Sequence, residues 1–397
     1  MEERDSAGPV ALILAGGGAR GAYEAGALSV LLPVLEQRGE LPRIVIGTSV
    51  GALNAAFIAA NVHRPMADLS ARAVETWEAT NWHSVARSVI SLASVRRLFE
   101  YAGEVLNVPE MRIDSVLDPQ PLRKTVHERV DFEQIKRNVA DGRLDAAGVV
   151  ATSALTARSV VFHTGLPSPP PDPSRGIDYV ATPLAEDHVL ASASIPGAFP
   201  AVHVEDPESA RGWYYDGGTR LNTPIKPALA LGARRVVVVA LNPLTPGPAR
   251  LAGDQQPDVF AAAGQILLSL LGDQLVADVH TVAKINGLVG SGGASRDPRE
   301  IPYIAVAPAG ENSIGQRALD VIREHYGGPL HAMRSLDISL LTRLTAGDLD
   351  VQHAELLSFL LFVPEFAKAL VRLGRQDAQR WIDGPHDFDD LWQVGPV

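Results

Sequence analysis

Cysteine is absent from the 397 residues of this sequence, and its absence excludes several kinds of chemistry. Disulfide bonds, thiol nucleophiles and thiolate metal sites all need a cysteine. Long apolar runs are also missing, because Asp273 and Pro364-Glu365 interrupt the two best candidates before they reach the roughly 18 to 20 residues of a membrane span. The sequence therefore predicts a globular protein without a transmembrane helix.

Basic residues are fewer than acidic ones, with 35 Lys and Arg against 46 Asp and Glu, for a net charge of -11. This balance argues against general nucleic-acid binding and against strong adsorption to anionic membranes. The first residues, Met1 to Asp5, lack the basic and then apolar run of a signal peptide, so we expect a cytoplasmic location. With 46% hydrophobic residues, the chain can bury one large core and a smaller appendage.

Two strand-turn-helix units follow one another in the first 60 residues. The apolar strand Val10 to Ala15 runs into the glycine-rich segment 16–21 and then into a helix with leucines at helical spacing. A second strand, Arg43 to Ile46, turns into an alanine-rich helix from about Val50 to Ala60. Such units predict adjacent parallel strands, with both turns at the carboxyl edge of the sheet, where ligands bind in open α/β folds.

The second turn is a Gly-x-Ser-x-Gly segment, Gly47-Thr48-Ser49-Val50-Gly51. A serine at a sharp strand-to-helix turn has an exposed Oγ and is placed for nucleophilic attack. The elbow glycines, Gly47 and Gly51, leave space that a Cβ would fill. By itself the motif is compatible with any serine hydrolase.

The first turn also matches a different pattern. Gly16, Gly18 and Gly21 fit the dinucleotide fingerprint Gly-x-Gly-x-x-Gly. That fingerprint expects an acidic residue at the end of the second strand to bind the ribose. Here the strand ends in Ile46-Gly47-Thr48, so the sequence favours a loop whose backbone amides bind an oxyanion beside Ser49.

The serine needs a base, because an unassisted hydroxyl is a weak nucleophile near neutral pH. A hydrolase triad would require a late histidine, yet the late histidines lie in segments of helical or polar character. His203 is the one histidine worth attention, although a structural role is favoured. Asp216 follows an aromatic segment and precedes two glycines, which suits either a carboxylate presented from a strand end or a simple turn. The late histidines are His280, His325, His331, His353 and His386.

The rest of the chain continues the α/β pattern. Residues 64–145 are mostly helical in pattern, and Val85 to Phe99 is an amphipathic stretch that fits either a lid or a helix laid over the core. Strands are predicted at Ala147 to Ala151, Ser159 to His163, Arg235 to Leu241 and Ile301 to Ala307, and helices over 257–290 and 314–397.

Four sequence blocks, taken in order, resemble those of the patatin-like phospholipases. Four blocks in order are far more specific than any one of them. The resemblance covers residues 8–242 well and continues to about residue 330. The blocks are Gly16-Gly17-Gly18-Ala19-Arg20-Gly21, Gly47-Thr48-Ser49-Val50-Gly51 with Asn54 close behind, Ala191-Ser192-Ala193-Ser194-Ile195-Pro196-Gly197-Ala198-Phe199-Pro200, and Asp216-Gly217-Gly218.

The resemblance implies a three-layer α/β/α fold with a mostly parallel central sheet, plus a helical C-terminal region. It also implies a Ser-Asp dyad without histidine, with Ser49 as the nucleophile and Asp216 as the general base. The amides of Gly17 and Gly18 would hold the oxyanion, while Gly16 shapes the turn. Arg20 would either add positive charge or brace the loop by pairing with a carboxylate. This chemistry needs neither a metal nor an organic cofactor.

We therefore expect a patatin-like hydrolase domain over residues 8–330, with its core at 8–242 and a helical, lid-like insertion at about 64–145. A C-terminal helical extension, 331–397, would follow. The expected activity is hydrolysis of fatty-acyl esters of phospholipids or lysophospholipids through an acyl-enzyme, with transient contact to a membrane or micelle surface. Two alternatives stay open: an acyltransferase with a lipid or carrier-protein acceptor, and a catalytically inactive lipid- or partner-binding module.

Overall fold

The computed structural model of the protein describes residues 8–85, 117–244, 300–310, 313–326, 355 and 357–395. The predicted helix over 257–290 lies outside these ranges, as does all of the amphipathic stretch Val85 to Phe99 except its first residue.

The described residues alternate between strands and helices along most of the chain. The strands are β1 Val10–Leu14, β2 Ile44–Thr48, β3 Ala146–Ser153, β4 Ser159–Thr164, β5 Ile177–Ala181, β6 Val202–Val204, β7 Gly212–Asp216, β8 Arg235–Val239 and β9 Tyr303–Val306. The helices are α1 Gly21–Arg38, α2 Val50–Asn61, α3 Met66–Ala79, α4 Trp82–Val85, α5 Gln120–Arg129, α6 Phe132–Ala140, α7 Glu186–Ser192, α8 Ile225–Ala230, α9 Ser313–Val321 and α10 Pro364–Asp383.

The strands form one mixed, mostly parallel sheet in the order β5-β4-β3-β2-β1-β8-β9, and β7 pairs with β3 and with β6. Strand β1 is parallel to both β2 and β8, which confirms the adjacency predicted from the two strand-turn-helix units. Strand β3 is parallel to β2 but antiparallel to β4 and β7. The sheet therefore brings the ends of β1, β2 and β7 to one region.

Helices cover both faces of this sheet, which makes the fold three-layered. Alternate side chains of β1, such as Leu12 and Leu14, pack into a core shared with α1, α2, α3 and α10. The intervening side chains, Ala11 and Ile13, pack with residues of α8 on the opposite face. This burial on both faces explains why the central strands read as continuous apolar runs. The predicted α/β/α fold is confirmed.

The C-terminal helix α10 is part of the first helical layer. Phe366, Leu370 and Val371 are buried in the same core as α1. The Tyr23 hydroxyl on α1 donates a hydrogen bond of 2.9 Å to Asp377 Oδ2 on α10. Helix α10 packs closely along α1 and also contacts β9.

The structure differs from the sequence prediction at several places, and the predicted helix over 314–397 is interrupted at 358–363. Strands β5 and β6 are absent from the predicted strands, and four of the five residues of β5 are at least partly exposed. The C-terminal helix ends at Asp383, although the pattern predicts helix to residue 397. Gly384 is extended and precedes a proline, which disfavours helical backbone at the residue before it. Beyond it, Gln393 pairs with Tyr303 of β9.

In the described part of the chain, no helix combines the length and the apolar character that crossing a bilayer requires.

Candidate active site

Ser49 occupies a strained turn between β2 and α2. Its backbone has φ 55 and ψ -124, a conformation that costs a non-glycine residue about 1 to 3 kcal/mol. The elbow glycines permit the turn through close approach: a Cβ on Gly47 would lie 2.1 Å from the Gly51 carbonyl oxygen, and one on Gly51 would lie 2.4 Å from that of Leu14. The surrounding strands therefore hold Ser49 at the amino end of α2, where the helix dipole favours negative charge.

Asp216 reaches Ser49 from the end of β7. The Ser49 Oγ donates a hydrogen bond of 2.5 Å to Asp216 Oδ2. The other carboxylate oxygen, Oδ1, accepts a hydrogen bond of 2.7 Å from the Gly218 amide. Asp216 is placed by pairing between β3 and β7, where it lies opposite Ala151. The structure thus brings together two side chains that are 167 positions apart in sequence.

Burial changes the acid-base behaviour of this carboxyl. Asp216 is 1% exposed, and the loss of solvent raises its pKa from 3.8 to about 7. Hydrogen bonds from Ser49 and Gly218 to the carboxylate oppose this rise. A carboxylate with a pKa near neutrality is a far better proton acceptor than a solvated aspartate.

The glycine loop lies directly against Ser49. A Cβ on Gly16 would be 3.0 Å from the Ser49 Cβ, and the Gly16 amide donates a hydrogen bond of 3.3 Å to the Asn222 carbonyl. Within the described residues, the amides of Gly17 and Gly18 have no hydrogen-bond partner. Gly18 also lines the cavity that contains Ser49. Among the described residues, two backbone donors of this loop are therefore unengaged, while the Gly16 amide is engaged.

Ser192 is a supporting residue to which the sequence analysis gives no role. Its Oγ accepts a hydrogen bond of 2.9 Å from the Ser49 amide and donates one of 2.5 Å to the Val150 carbonyl. The next serine, Ser194, accepts a hydrogen bond of 2.9 Å from the Asp216 amide through its carbonyl. Both serines belong to the third block of the family resemblance, which is the signal that points to them.

Arg20 is fully buried and pairs with Glu355, at 2.8 Å between Nη2 and Oε1. Burial lowers the pKa of this guanidinium, and the nearby Glu355 carboxylate raises it. Arg20 is not among the described residues that line the cavity. This arrangement corresponds to the bracing alternative for Arg20.

The cavity at Ser49 is predominantly apolar. Its volume is about 110 Å³, several times the space that one water molecule needs. Among the described residues, the polar groups in its wall are Ser49, Asn54, Arg129 and three threonines. The apolar lining residues are Val50, Leu53, Phe57, Ala73, Trp77, Val85, Leu122, Val126, Val130, Ala193, Ile195, Phe199, Phe359, Leu360 and Phe362. Such a wall suits a hydrocarbon chain.

A buried polar network includes two residues of this wall, Asn54 and Trp77, and extends behind it to Glu24. The Asn54 amide donates a hydrogen bond of 2.7 Å to Glu24 Oε2, and its carbonyl accepts one of 2.9 Å from Trp77 Nε1. Glu24 has no exposed surface, and burial raises its pKa from 4.5 to about 8 against the effect of the Asn54 hydrogen bond. The network links α1, α2 and α3 at the position of Trp77.

The described histidines do not approach Ser49 as a base would. The His203 ring packs at a tilt against Trp213, with the ring centroids 5.0 Å apart, and His386 stacks on Trp381. His325 lies beside Tyr326, and His280, His331 and His353 lie outside the described residues. Among the described residues, no group of three or more His, Cys, Asp or Glu side chains is arranged to hold a metal ion.

The sequence model described as patatin-like phospholipase matches residues 12–229, which is more than half of the chain. The chain belongs to the patatin-like phospholipase family. Membership in this family suggests a lipid acyl hydrolase. No curated protein matches the chain significantly in sequence.

Solved structures include two distant matches to this patatin-like chain. VipD from Legionella pneumophila aligns with 95% of the chain and 92% of its own length, at 12% identity and a TM-score of 0.29. Human GIVD cytosolic phospholipase A2, solved in complex with methyl gamma-linolenyl fluorophosphonate, aligns with 94% of the chain at 12% identity and a TM-score of 0.35. The alignment spans 59% of the human protein.

Proposed function

We propose that the protein is a serine lipid acyl hydrolase that cleaves fatty-acyl esters of phospholipids or lysophospholipids through a Ser49–Asp216 dyad. The observation that carries the proposal is the 2.5 Å hydrogen bond between Ser49 Oγ and Asp216 Oδ2 in an apolar cavity. Family membership supports the same substrate class.

The first half of the reaction forms an acyl-enzyme. Asp216 takes the Ser49 proton while Oγ attacks the ester carbonyl carbon, and the carbonyl oxygen becomes an oxyanion. The amides of Gly17 and Gly18 donate hydrogen bonds to this oxyanion, and one such donor typically lowers the barrier by about 2.7 to 4 kcal/mol. The ester C–O bond then breaks, the departing alcohol takes the proton from Asp216, and the acyl group stays on Ser49.

The second half releases the fatty acid. Water enters the site and gives a proton to Asp216 as its oxygen attacks the acyl carbon. The same two amides hold the second oxyanion. The bond to Ser49 Oγ breaks, Oγ recovers the proton from Asp216, and the free acid leaves. A base with a pKa near 7 is suited to both steps, because it accepts and returns a proton near neutral pH.

An exposed apolar patch, formed by Leu155 and Trp213 next to β3 and β7, could contact a membrane. Leu155 and Trp213 are 92% and 57% exposed, and they are close because the Ala154 amide bonds to the Trp213 carbonyl. The patch lies past the end of β3, on the edge of the sheet that carries Ser49. Leucine and tryptophan at such a position suit transient insertion into a lipid surface. We therefore expect a protein that binds membranes at their surface.

A hydrolysis assay on a lipid panel, with products resolved by mass spectrometry, tests the proposal. Wild-type protein should release fatty acid from phospholipid or lysophospholipid, and Ser49→Ala and Asp216→Asn should each abolish the release while keeping the circular dichroism spectrum. Activity retained in either variant would refute the dyad.

The same assay separates the alternatives. Adding glycerol or lysolipid acceptors would yield new acyl esters from an acyltransferase and mainly free acid from a hydrolase. A fluorophosphonate that fails to label Ser49 would instead favour an inactive binding module.

A further inference from the structure

The segment 357–363, which we call the C-terminal strap, lies against the glycine loop. The Ala19 amide donates a hydrogen bond of 2.9 Å to the Phe359 carbonyl. Gly18, with φ 59, is packed under the same carbonyl, because a Cβ there would lie 2.2 Å from that oxygen. Phe359 and Phe362 line the cavity together with Ser49. The strap therefore touches the loop and forms part of the cavity wall.

Arg20 links the glycine loop to the strap and to Glu355 just before it. Its Nε donates a hydrogen bond of 2.8 Å to Ser358 Oγ, and its Nη2 donates one of 2.7 Å to the Glu355 carbonyl in addition to the ion pair with the Glu355 carboxylate. The guanidinium carbon lies 3.7 Å from the centre of the Phe359 ring. A third nitrogen, Nη1, donates a hydrogen bond of 3.2 Å to Asn242 Oδ1. One side chain thus joins the loop, the strap and the segment that follows β8.

Breaking the contacts between Arg20 and the strap would be energetically costly. Arg20 has no exposed surface, and a buried guanidinium is costly unless its charge and its donors are matched. Glu355, just before the strap, supplies the carboxylate and a carbonyl, and the strap supplies a hydroxyl and an aromatic face. Any displacement of the strap would leave these donors unmatched, so the loop and the strap are held in one arrangement.

We infer that the C-terminal strap is a working part of the active site that holds the Gly17 and Gly18 amides in register with Ser49. Arg20, Glu355 and Ser358 are then positioning residues, since none of them contacts the reacting atoms. The inference rests on the proposed function for the reaction, and it extends that reaction's machinery to a segment outside the region of the family match. Misplacing a catalytic group by about 1 Å can cost about 100-fold in rate, so small strap movements have large effects.

The test compares Glu355→Gln and Ser358→Ala with Arg375→Gln. Arg375 also joins α10 to α1, through a 3.0 Å hydrogen bond to Ser29, but it is exposed and does not contact the loop, which makes it a matched control. Three quantities are measured: the rate at which a fluorophosphonate labels Ser49, kcat and KM on a short soluble ester, and deuterium exchange of the Ala19 amide. In labelling, Oγ displaces fluoride and its proton passes to Asp216, so the rate depends on the same oxyanion donors.

Glu355→Gln and Ser358→Ala should each lower the labelling rate and kcat at least tenfold, leave KM within twofold and speed exchange at Ala19. Arg375→Gln should match wild type in all three. Labelling and kcat within twofold of wild type, in variants whose thermal unfolding temperature has fallen, would overturn the inference, because the strap would then contribute only to stability. A wild type that labels at Ser49 but hydrolyses no lipid ester would refute the proposed function, while the labelling and exchange data would still decide the role of the strap.

Discussion

Replacing Asp216 with Asn tests whether burial makes this carboxyl a base near neutral pH. The side chain is enclosed at the end of β7, and burial raises its pKa from 3.8 to about 7. Asparagine has nearly the same shape but cannot titrate. Differences in pH dependence between the two proteins therefore report on this one carboxyl.

The magnitude follows from linkage between protonation and folding. Between pH 4 and pH 7 the folded protein keeps the Asp216 proton while the unfolded chain has lost it, so this group stabilises the fold fully below pH 4 and loses that effect as the pH rises through 7. A shift of about three pH units corresponds to about 4 kcal/mol at 1.36 kcal/mol per unit. Wild type should therefore lose up to about 4 kcal/mol of unfolding free energy relative to Asp216→Asn across this range.

Two assays measure the effect. Urea unfolding at half-unit steps from pH 4 to pH 8, for wild type and Asp216→Asn, gives the difference in unfolding free energy. A pH profile of kcat/KM for wild type on a soluble ester reports the base in the free enzyme, and it should fall about tenfold per unit below pH 7 and level off above it.

Two results would refute this reasoning. One is a parallel pH dependence of stability in the two proteins, which would mean that the carboxyl titrates alike when folded and unfolded. The other is a kcat/KM profile that stays flat down to pH 5, which would place the pKa of the base near that of a solvated aspartate. Ser49→Ala serves as the control for the unfolding series, because it removes the serine hydroxyl but keeps the titrating carboxyl.

Three further predictions address other parts of the molecule. Burial raises the pKa of Glu24 from 4.5 to about 8, so this carboxyl should cost wild type up to about 5 kcal/mol of unfolding free energy as the pH rises from 4.5 to 8. Glu24→Gln should remove this loss, and urea unfolding of both proteins at pH 5 and pH 9 measures the difference. Phe57 lines the cavity, so the larger side chain in Phe57→Trp should shift hydrolysis toward shorter acyl chains, with each excluded methylene costing about 0.8 kcal/mol of binding. The measurement is kcat/KM across a series of acyl-chain lengths, and the same chain-length preference in both proteins would contradict the prediction. Leu155→Asp should slow hydrolysis of vesicle lipids at least tenfold without slowing hydrolysis of a soluble ester. Phe388→Asp, a change at another exposed hydrophobic residue in the C-terminal tail, should alter neither rate.

The sequence is sufficient to predict the elements nearest the site. The strands before Gly16 and Ser49 are short apolar runs, and each is followed by a turn that contains glycines. Glycine is required there for steric reasons: at Gly51, for example, any side chain would collide with the Leu14 carbonyl. These are local features, and local features are visible in a linear pattern. The order of four blocks then brings Asp216 to the same site by family resemblance.

The contributions of distant segments are not visible in the same way. Ser192 supports the Ser49 amide through a contact between residues 143 positions apart, and Arg20 meets Ser358 across 338 positions. No sequence pattern around either residue predicts which distant residue it contacts. Strand β5 and the end of α10 at Asp383 likewise depend on the neighbours that those segments meet in the fold.

The sequence by itself determined the α/β class, the nucleophile elbow, the glycine loop and the family, because each is written in short-range patterns of apolar residues and glycine. Tertiary structure decided what those groups can do. It placed Ser49 and Asp216 at 2.5 Å, and it buried the carboxyl so that its pKa rises to about 7. It also turned Arg20 toward the C-terminal strap. Hydrogen bonding and desolvation depend on distances between atoms far apart in the chain, and only the folded protein sets those distances.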